Sequence, residues 1–269
     1  MRVAALYDIH ANLPALEAVL GEVRAAGVDQ IVVGGDVVPG PMPRETLALL
    51  LKLDVPVQFI YGNGELAVLA QIGVSDPEAV TYWGTTTGEP LPEPQRALLR
   101  WTAQQIHPEF DDLLKSWPKT HRVDMTSLGR VLFCHGTPRS ETEIFTRLTP
   151  EDRLVPVFEG LDVDLVICGH THMQFDRPIA GIRVVNAGSI GMPFGLAGAD
   201  WALLGRNVEL RHTLYDLQKG AARIRETMYP QADAFAEHYV LEPPTERDVL
   251  EAFQKRVAPM KDHRESDGP

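Results

Sequence analysis

The sequence predicts an α/β protein whose centre is a parallel β-sheet. Short apolar runs alternate with longer segments in which apolar residues recur at helical spacing, and glycine follows most of these segments. This strand–helix alternation is typical of right-handed β-α-β crossovers. A chain of 269 residues, 44% of them hydrophobic, is long enough to bury one large core of this class.

The N-terminal part of the chain shows the clearest pattern. The apolar runs at residues 3–7, 31–33 and 57–61 are predicted strands, each followed closely by glycine or aspartate. Regularly spaced leucine and valine predict a helix over 13–26, and a second helix over 44–53 follows a proline-rich opening. The order β-α-β-α-β predicts parallel strands.

A helical, proline-punctuated segment at residues 65–118 interrupts the strands. Helices are predicted at 94–106, from a stripe of apolar residues, and at 109–117, where proline follows. Because the segment lies between two groups of candidate site residues, we expect a helical cap insertion near the mouth of the site. Its tryptophans are expected to form the core of the cap, with base stacking as the alternative: Trp83, Trp101 and Trp117.

Strands resume after the insertion and end in a hairpin around residues 205–207. They are predicted at residues 122–125, 130–134, 163–168, 182–186, 201–205 and 208–213. A helix over 217–228 and the segment 235–240 complete the packed part. We expect one domain over residues 1–258 and a disordered tail over 259–269, which is charged and carries glycine and proline.

The charge and the N-terminus limit the partners. A net charge of -12 repels polyanions, so long duplex nucleic acid is disfavoured, whereas a small or locally presented phosphoester can bind at a local cationic site. The first apolar run is too short and too soon charged for a signal peptide, and no run reaches membrane-spanning length. We therefore expect a cytoplasmic protein without a membrane partner, and the oligomeric state stays open. Cys134 and Cys168 end apolar runs and are expected to be structural.

Polar signals follow five of the predicted strands. They are Asp8-Ile9-His10, Gly35-Asp36, Gly62-Asn63, His135-Gly136 and Gly169-His170-Thr171-His172. In open α/β sheets, ligands bind outside the carboxyl ends of the strands, so we expect these residues to converge on one site.

Each signal has a simpler explanation when taken singly. Asp8 could cap the helix that begins near Leu13, and Gly-Asp and Gly-Asn are common turn dipeptides. Their joint occurrence favours a metal site, because Asp-x-His and His-x-His place two donor side chains on one side of an extended segment. Seven oxygen and nitrogen donors without cysteine do not suit a closed structural zinc site, but they suit two metal ions that share a carboxylate.

The set resembles the signature of the calcineurin-like metallophosphoesterase superfamily, which runs D-x-H, G-D, G-N, a lone H and G-H-x-H. The resemblance covers residues 3–215 in the same order. Segments 135–138 and 186–191 are similar to the small bacterial phosphodiesterase-like branch. The resemblance implies a layered α-β-β-α sandwich of two mixed sheets with a helical cap insertion.

The resemblance also implies a binuclear metal centre in which a metal-bridging hydroxide attacks the phosphoester. Asp8, His10 and His172 would hold the first ion, Asn63, His135 and His170 the second, and Asp36 would bridge them. Asp36, Asn63 and His135 would be the catalytic metal-site residues that activate water. The mixed donors fit Mn²⁺, Fe or Zn²⁺, with Mn²⁺ as the leading choice.

Gly64 departs from the family pattern. It follows Asn63, where many relatives have a histidine taken to protonate the leaving group. Because glycine cannot transfer a proton, we expect a preference for good leaving groups, or another acid from the cap. His107 and His121 are candidates by position, although surface or core histidines are the simpler interpretation.

Two further residues are candidate substrate ligands. Asn12 could orient a phosphate, but a helix N-cap before Leu13 is the simpler role. Arg139 could bind a phosphoryl oxygen in a bidentate manner, and an exposed loop arginine is an equal alternative.

The leading hypothesis is a metal-dependent phosphodiesterase, with phosphomonoesters as a second substrate class. The alternative is a catalytically weakened scaffold of the same fold that binds proteins, which only Gly64 supports. A DNA-repair nuclease is a third interpretation, and the net charge of -12 and the lack of a Lys/Arg-rich stripe argue against it.

Overall fold

The computed structural model describes residues 1–72 and 91–256, which form two five-stranded sheets flanked by helices. Trp83 and the predicted tail at 259–269 lie outside the described residues. The strands are β1 (Val3–Leu6), β2 (Gln30–Val33), β3 (Val57–Phe59), β4 (Thr120–Met125), β5 (Gly129–Cys134), β6 (Leu165–Cys168), β7 (Phe175–Ile179), β8 (Ile182–Asn186), β9 (Ala199–Leu204) and β10 (Val208–Thr213).

Each sheet combines parallel and antiparallel pairs. The first sheet has the order β10-β9-β1-β2-β3; β1, β2 and β3 are parallel, as predicted, and the β9–β10 hairpin adds antiparallel strands beside β1. The second has the order β4-β5-β6-β8-β7, with β5, β6 and β8 parallel and antiparallel strands at both edges. The segments that follow the parallel strands all leave the sheets at the carboxyl ends of those strands. These segments therefore lie close together.

The helices form the outer layers of the molecule. They are α1 (Leu13–Ala26), α2 (Pro43–Leu51), α3 (Asn63–Leu69), α4 (Glu93–Ile106), α5 (Asp111–Ser116), α6 (Glu151–Phe158), α7 (Leu217–Arg225), α8 (Ala232–Phe235), a π-helical segment (Ala236–Leu241) and α9 (Glu246–Arg256). None of the described helices combines the length and the apolarity that a bilayer-spanning segment requires.

Strand β1 shows how the layers are built. Val3, Ala5 and Tyr7 point into the core between the two sheets, while Ala4 and Leu6 point to the helices on the outer face. Strands β5, β6 and β8 alternate in the same way, with their other faces packed on the side of α6. The predicted α-β-β-α sandwich of two mixed sheets is therefore confirmed.

The described part of the insertion extends the helical layer over the first sheet. Leu99, Ile106 and Leu114 are buried in the same apolar cluster as α1 and α2. Trp117 stacks on Phe59 with a centroid separation of 4.7 Å. Trp101 meets Tyr229 edge-on at 5.4 Å. Both tryptophans thus pack against side chains from outside the insertion, and not in a separate cap core as expected.

Among the elements of the described residues, α6, β7 and α9 are ones that the sequence patterns do not predict. A proline lies inside each of the first two, Pro156 in α6 and Pro178 in β7. Helix α9 follows the segment expected to end the packed part, and it buries Leu250. Packing therefore continues beyond residue 240.

Candidate active site

The loops that follow β1 and β2 run side by side. The N–H of Asp8 donates to the carbonyl of Gly35 at 3.1 Å, and that of His10 to the carbonyl of Asp36 at 2.9 Å. These bonds continue the parallel pairing beyond the strand ends. Gly35 has a φ of +90°, and a Cβ there would lie 2.6 Å from the backbone nitrogen of Gly62, so only glycine allows this approach.

Five of the seven predicted metal ligands adopt a left-handed backbone conformation, with φ between +47° and +65°. They are Asp8, His10, Asp36, His170 and His172. Such conformations cost about 1 kcal/mol or more for each non-glycine residue, and they concentrate at functional sites. The folded chain therefore holds these loops in shapes that local preference disfavours.

Asp8, His10 and His172 form one buried group of potential metal ligands among the described residues. The Nε2 atoms of the two histidines lie 3.2 Å apart, and Nε2 of His172 lies 3.3 Å from Oδ1 of Asp8. None of the three residues is more than 8% exposed. These are the residues predicted to hold the first metal ion.

Asp8, Asp36 and His135 form a second such group in the described part of the chain. Nε2 of His135 lies 3.5 Å from Oδ1 of Asp36 and 3.0 Å from Oδ1 of Asn63. The other carboxylate oxygen of Asp36 faces Nε2 of His10 at 3.8 Å. The two oxygens of Asp36 thus face the two groups, which is the position that a bridging carboxylate requires.

His170 lies beside both groups without belonging to either. Its backbone N–H donates to Oδ2 of Asp8 at 2.8 Å, and its ring centroid lies 5.0 Å from that of His135. Its Nε2 atom is buried and has no hydrogen-bond partner within residues 1–72 and 91–256. Its role as a metal ligand stays a prediction.

Backbone carbonyls orient the imidazole rings of the two groups. Nδ1 lies 2.9 Å from a carbonyl in two rings and 3.3 Å in the third: His135 with Gly34, His172 with Met192, and His10 with Pro39. A neutral ring that donates through Nδ1 has a free electron pair on Nε2, here directed at the carboxylates. This outer hydrogen bond is typical of histidines that bind metal ions.

Burial and neighbouring charges shift the pKa values of these groups in different directions. Burial lowers the pKa of His10 to about 3 and that of His170 to about 3, so both rings are neutral at pH 7. Burial alone would raise the pKa of Asp8, but the imidazoles of His172 and His135 outweigh it and hold the pKa below its usual range. Burial and the charge of Asp8 raise the pKa of Asp36 well above its usual range.

The donor set fits divalent metal ions. Among the described residues, Oδ1 of Asp8 is a second buried polar atom in the site without a hydrogen-bond partner. Buried polar atoms are costly unless paired, and the Nε2 atoms of His10 and His172 face each other at 3.2 Å. A cation between these atoms would satisfy all of them, and carboxylate, imidazole and amide donors together suit Mn²⁺, Fe or Zn²⁺.

Glu65 joins two ligand-bearing loops, and the motif reasoning missed it. Its fully buried carboxylate accepts N–H bonds from Asp36, Val37, Val38 and Gly62 at 2.7–3.1 Å. Burial and the charge of Asp36 raise its pKa to about 7, which these backbone donors oppose. A glutamate three residues after the N-cap of a helix is a capping-box signal, and this signal could have identified it.

Gly64 lies where no side chain fits. A Cβ at this position would lie 2.2 Å from the carbonyl oxygen of Val38 and 2.9 Å from Oδ1 of Asp36. The N–H of Gly64 donates to the same Asp36 oxygen at 2.6 Å. This position therefore orients Asp36 through its backbone, and the backbone path itself excludes an acid side chain.

Asn12 caps a helix in the structure. Its Oδ1 accepts the N–H of Ala15 at 3.2 Å, which makes it the N-cap of α1, and its Nδ2 donates to the carbonyl of Gly191 at 2.9 Å. The residue is 0% exposed. The helix N-cap, the simpler of the two roles expected for Asn12, is thus the one that these contacts show, and its phosphate-orienting role stays a prediction.

The other candidates lie in separate contacts. Arg139 forms an ion pair with Glu143 at 2.6 Å, so its phosphate-binding role stays a prediction. His107 pairs with Asp111 at 2.6 Å. His121 lies on β4 opposite Phe133. No hydrogen bond joins either histidine to a predicted ligand in the described ranges, and their role as acids stays a prediction as well.

Comparison with known proteins supports the family that the motifs indicate. Residues 1–205 match the profile of the calcineurin-like phosphoesterase superfamily domain. The protein MJ0912 of Methanocaldococcus jannaschii is 26% identical over 249 residues, which cover 85% of this chain and 94% of that protein.

Two solved structures extend this comparison. The metallophosphoesterase from Sphaerobacter thermophilus is 26% identical and superposes with a TM-score of 0.66, covering 88% of this chain and 97% of its own. The hypothetical protein PH1004 from Pyrococcus horikoshii OT3 superposes with a TM-score of 0.76 at 20% identity, covering 91% and 99% of the two chains, and so shares the fold.

The matched region, residues 1–205, spans most of the chain and contains every predicted ligand from Asp8 to His172. The four-layer sandwich and the donor groups at the strand ends agree with this match. The chain therefore belongs to the calcineurin-like phosphoesterase superfamily of metal-dependent hydrolases.

Proposed function

We propose that this protein hydrolyses small or locally presented phosphodiesters, with phosphomonoesters as a second substrate class, and that it works with two divalent metal ions. The observation that carries the proposal is the pair of buried donor groups that share Asp8. The similarity to the Sphaerobacter metallophosphoesterase, at 26% identity, supports it.

The residues named from the sequence would hold the ions. Asp8, His10 and His172 would hold one, Asn63, His135 and His170 the other, and Asp36 would bridge them. Bound Mn²⁺, or Fe or Zn²⁺ as alternatives, supplies positive charge for the phosphoryl oxygens and a water of lowered pKa as the nucleophile.

The remaining work is positioning by the chain itself. Gly64 donates to Asp36 and fixes the oxygen that faces His135. The neutral amide of Asn63 adds no negative charge that would repel a phosphate. Because no acid fits at position 64, the site favours esters whose leaving group departs without a proton.

The test of this function is Asp36→Asn. We expect turnover of bis(p-nitrophenyl) phosphate with Mn²⁺ to fall by about 10²-fold or more, the scale on which lost charge stabilisation acts in the transition state. Metal content is measured on the same samples. Asp111→Asn, which changes another buried carboxyl group outside the site, is the matched control and should keep full turnover.

Unchanged turnover of Asp36→Asn would contradict the assignment of the site. Wild-type protein that binds no stoichiometric metal and shows no metal-dependent rate would favour the alternative, a protein-binding scaffold of the same fold. Gly64 supports this alternative, because it stands where many relatives have the histidine taken to protonate the leaving group.

A further inference from the structure

Residues 191–198, here called the rim loop, carry apolar side chains to the edge of the metal site. The carbonyl of Met192 accepts a hydrogen bond from Nδ1 of His172 at 2.9 Å. Two residues on, the ring of Phe194 stacks on the His172 imidazole, with centroids 5.3 Å apart and planes at 20°. An aromatic ring therefore lies directly beside a predicted metal ligand.

The rim loop is held at several points along its length. The N–H of Gly195 donates to the carbonyl of Pro244 at 2.9 Å, and Nε2 of His212 lies 3.2 Å from the carbonyl of Ala197. At its start, the N–H of Gly191 donates to the Asp8 carbonyl at 2.9 Å. The backbone of the loop is thus fixed, so a ligand that binds its side chains would cost the loop little conformational entropy.

The apolar side chains of this loop are left partly open to solvent. Phe194 is half-buried, and Leu196 is 73% exposed. Binding sites for small molecules are lined mainly by apolar and aromatic groups beside a few polar ones. Phe194, beside the donor cluster, and Leu196, two residues further along the loop, offer groups of this kind.

An ion pair lies beside the rim loop. Arg147 forms an ion pair with Glu246. The side chain of Glu246 lies beside the loop, 3.1 Å from the position that a Cβ on Gly195 would occupy. A substrate group that extends along the loop would meet an aromatic ring and a leucine, and the arginine beside Glu246 already has a carboxylate partner. This environment disfavours a second phosphate and favours an uncharged flat group.

We propose that Phe194 and Leu196 form a subsite for an aromatic group of the phosphoester. The inference rests on the proposed function, since it places the phosphate at the donor groups around Asp8. It narrows the substrate class to phosphoesters that carry one flat aromatic substituent, in preference to polyphosphates or short alkyl esters. Stacking on a ring that is already fixed against His172 supplies the selectivity.

Binding of two phosphonates to the Mn²⁺-loaded protein tests the subsite. Phenylphosphonate and methylphosphonate share the anionic head group, are not hydrolysed, and differ only in the organic group. We expect the wild type to bind phenylphosphonate about tenfold more tightly by calorimetry, and Phe194→Ala to reduce this preference to about twofold or less, the scale of a lost ring contact. The affinity of Phe194→Ala for methylphosphonate should stay within about twofold of wild type, which shows an intact metal site.

Leu196→Ala is the second variant, because the Leu196 side chain is 73% exposed and contributes little to the buried core. We expect it to lower the preference by about two- to threefold. Leu214→Ala, a change at another exposed leucine, should leave the preference unchanged. Equal wild-type affinity for the two phosphonates, or a preference that survives both rim-loop changes, overturns the subsite alone. If neither phosphonate binds in a metal-dependent way, the proposed function itself fails.

Discussion

At the scale of single residues, Glu65 shows how a side chain outside the predicted ligand set can shape the site. Its carboxylate receives N–H bonds from the loop after β2 and from Gly62, the residue before Asn63. Asp36 and Asn63 therefore take their relative position from one buried group. Partners of this outer kind typically change metal affinity by about 10- to 100-fold when they are removed.

We predict that Glu65→Gln weakens Mn²⁺ binding by about 10- to 100-fold, because an amide nitrogen cannot accept the N–H bonds that the carboxylate accepts. Calorimetric titration of the metal-free protein measures this. Asp111→Asn serves as the control for the loss of a buried carboxyl group. If Glu65→Gln lowers the melting temperature but keeps wild-type metal affinity, its role is structural only.

Gly64 leads to a second prediction. Gly64→Ala places a Cβ 2.2 Å from the Val38 carbonyl, and we expect it to destabilise the protein by about 1–3 kcal/mol, as overpacking does. Gly64→His should lower the free energy of unfolding by at least as much, and it should not accelerate cleavage of esters with poor leaving groups. Denaturant unfolding and turnover of a dialkyl phosphate measure these effects.

Gly21 in α1 provides the matched control for this pair of changes. A Cβ at Gly21 meets nothing within 4 Å, so Gly21→Ala should be neutral or stabilise the protein by up to about 1 kcal/mol. An active Gly64→His that gains rate on poor leaving groups would show that the backbone can move aside for the imidazole.

The sequence could indicate the donor residues that the structure brings together because strand ends carry side chains whose type already indicates chemistry. Asp8 and His172 stand out in this way. The role of Glu65 depends on which backbone donors approach it, and those donors lie up to 29 residues away in the chain. The position of Phe194 depends likewise on how the rim loop folds onto His172, and local patterns do not contain that information.

At the scale of elements, the β9–β10 hairpin contains a buried acid beside the rim loop. Asp200 on β9 lies opposite His212 on β10, and the two side chains are 2.7 Å apart. Burial raises the pKa of Asp200 to about 6 in spite of the hydrogen bond from His212. The folded protein thus holds a proton on this residue at a pH at which the unfolded chain has released it.

From this shift we predict a pH-dependent difference between the wild type and Asp200→Asn. A raised carboxyl pKa gives stability that is present below the unfolded value of 3.8 and is lost as the pH rises to about 6. The wild type should therefore lose free energy of unfolding, relative to Asp200→Asn, between pH 4 and pH 7. Denaturant unfolding of the metal-free proteins across this range measures it; a relative gain by the wild type would contradict the shift.

Elements with strong periodicity were predictable, and two elements with an interior proline were not. Helix α1 has the predicted bounds, since its apolar spacing and its terminal glycine agree. Strand β7 contains Pro178, which argues against a central strand, but β7 lies at a sheet edge where a missing N–H is tolerated. Helix α6 tolerates Pro156 although proline removes one of its hydrogen bonds.

At the scale of the whole molecule, the two cysteines show how well the packed layers exclude solvent. Cys134 and Cys168 are both 0% exposed, in the core between the second sheet and α6. Burial raises the pKa of both thiols well above the usual range. Because the thiolate is the reactive form, the folded layers keep both residues inert.

We predict that neither cysteine reacts with a disulfide reagent such as Ellman's reagent in the native protein, and that both react once denaturant unfolds it. The rate of labelling under native conditions should follow global unfolding, since the two residues lie in the core and not in a loop. Titration of thiols against time measures this. Rapid native labelling of one cysteine would reveal local opening of the α6 layer.

The position of Asp8 has a further consequence for the order in which the chain folds. Its carbonyl accepts the hydroxyl of Ser189, 181 residues away, and its side chain accepts the N–H of His170, 162 residues away. Contacts of such long sequence separation form slowly, because closing the intervening loop costs entropy before any contact repays it. During synthesis, a nascent chain whose residue 191 has not yet left the ribosome can form its first three strands, but it cannot yet assemble the cluster of donor residues. We therefore expect metal binding to follow the association of the two sheets, because the donor cluster is complete only when both are in place.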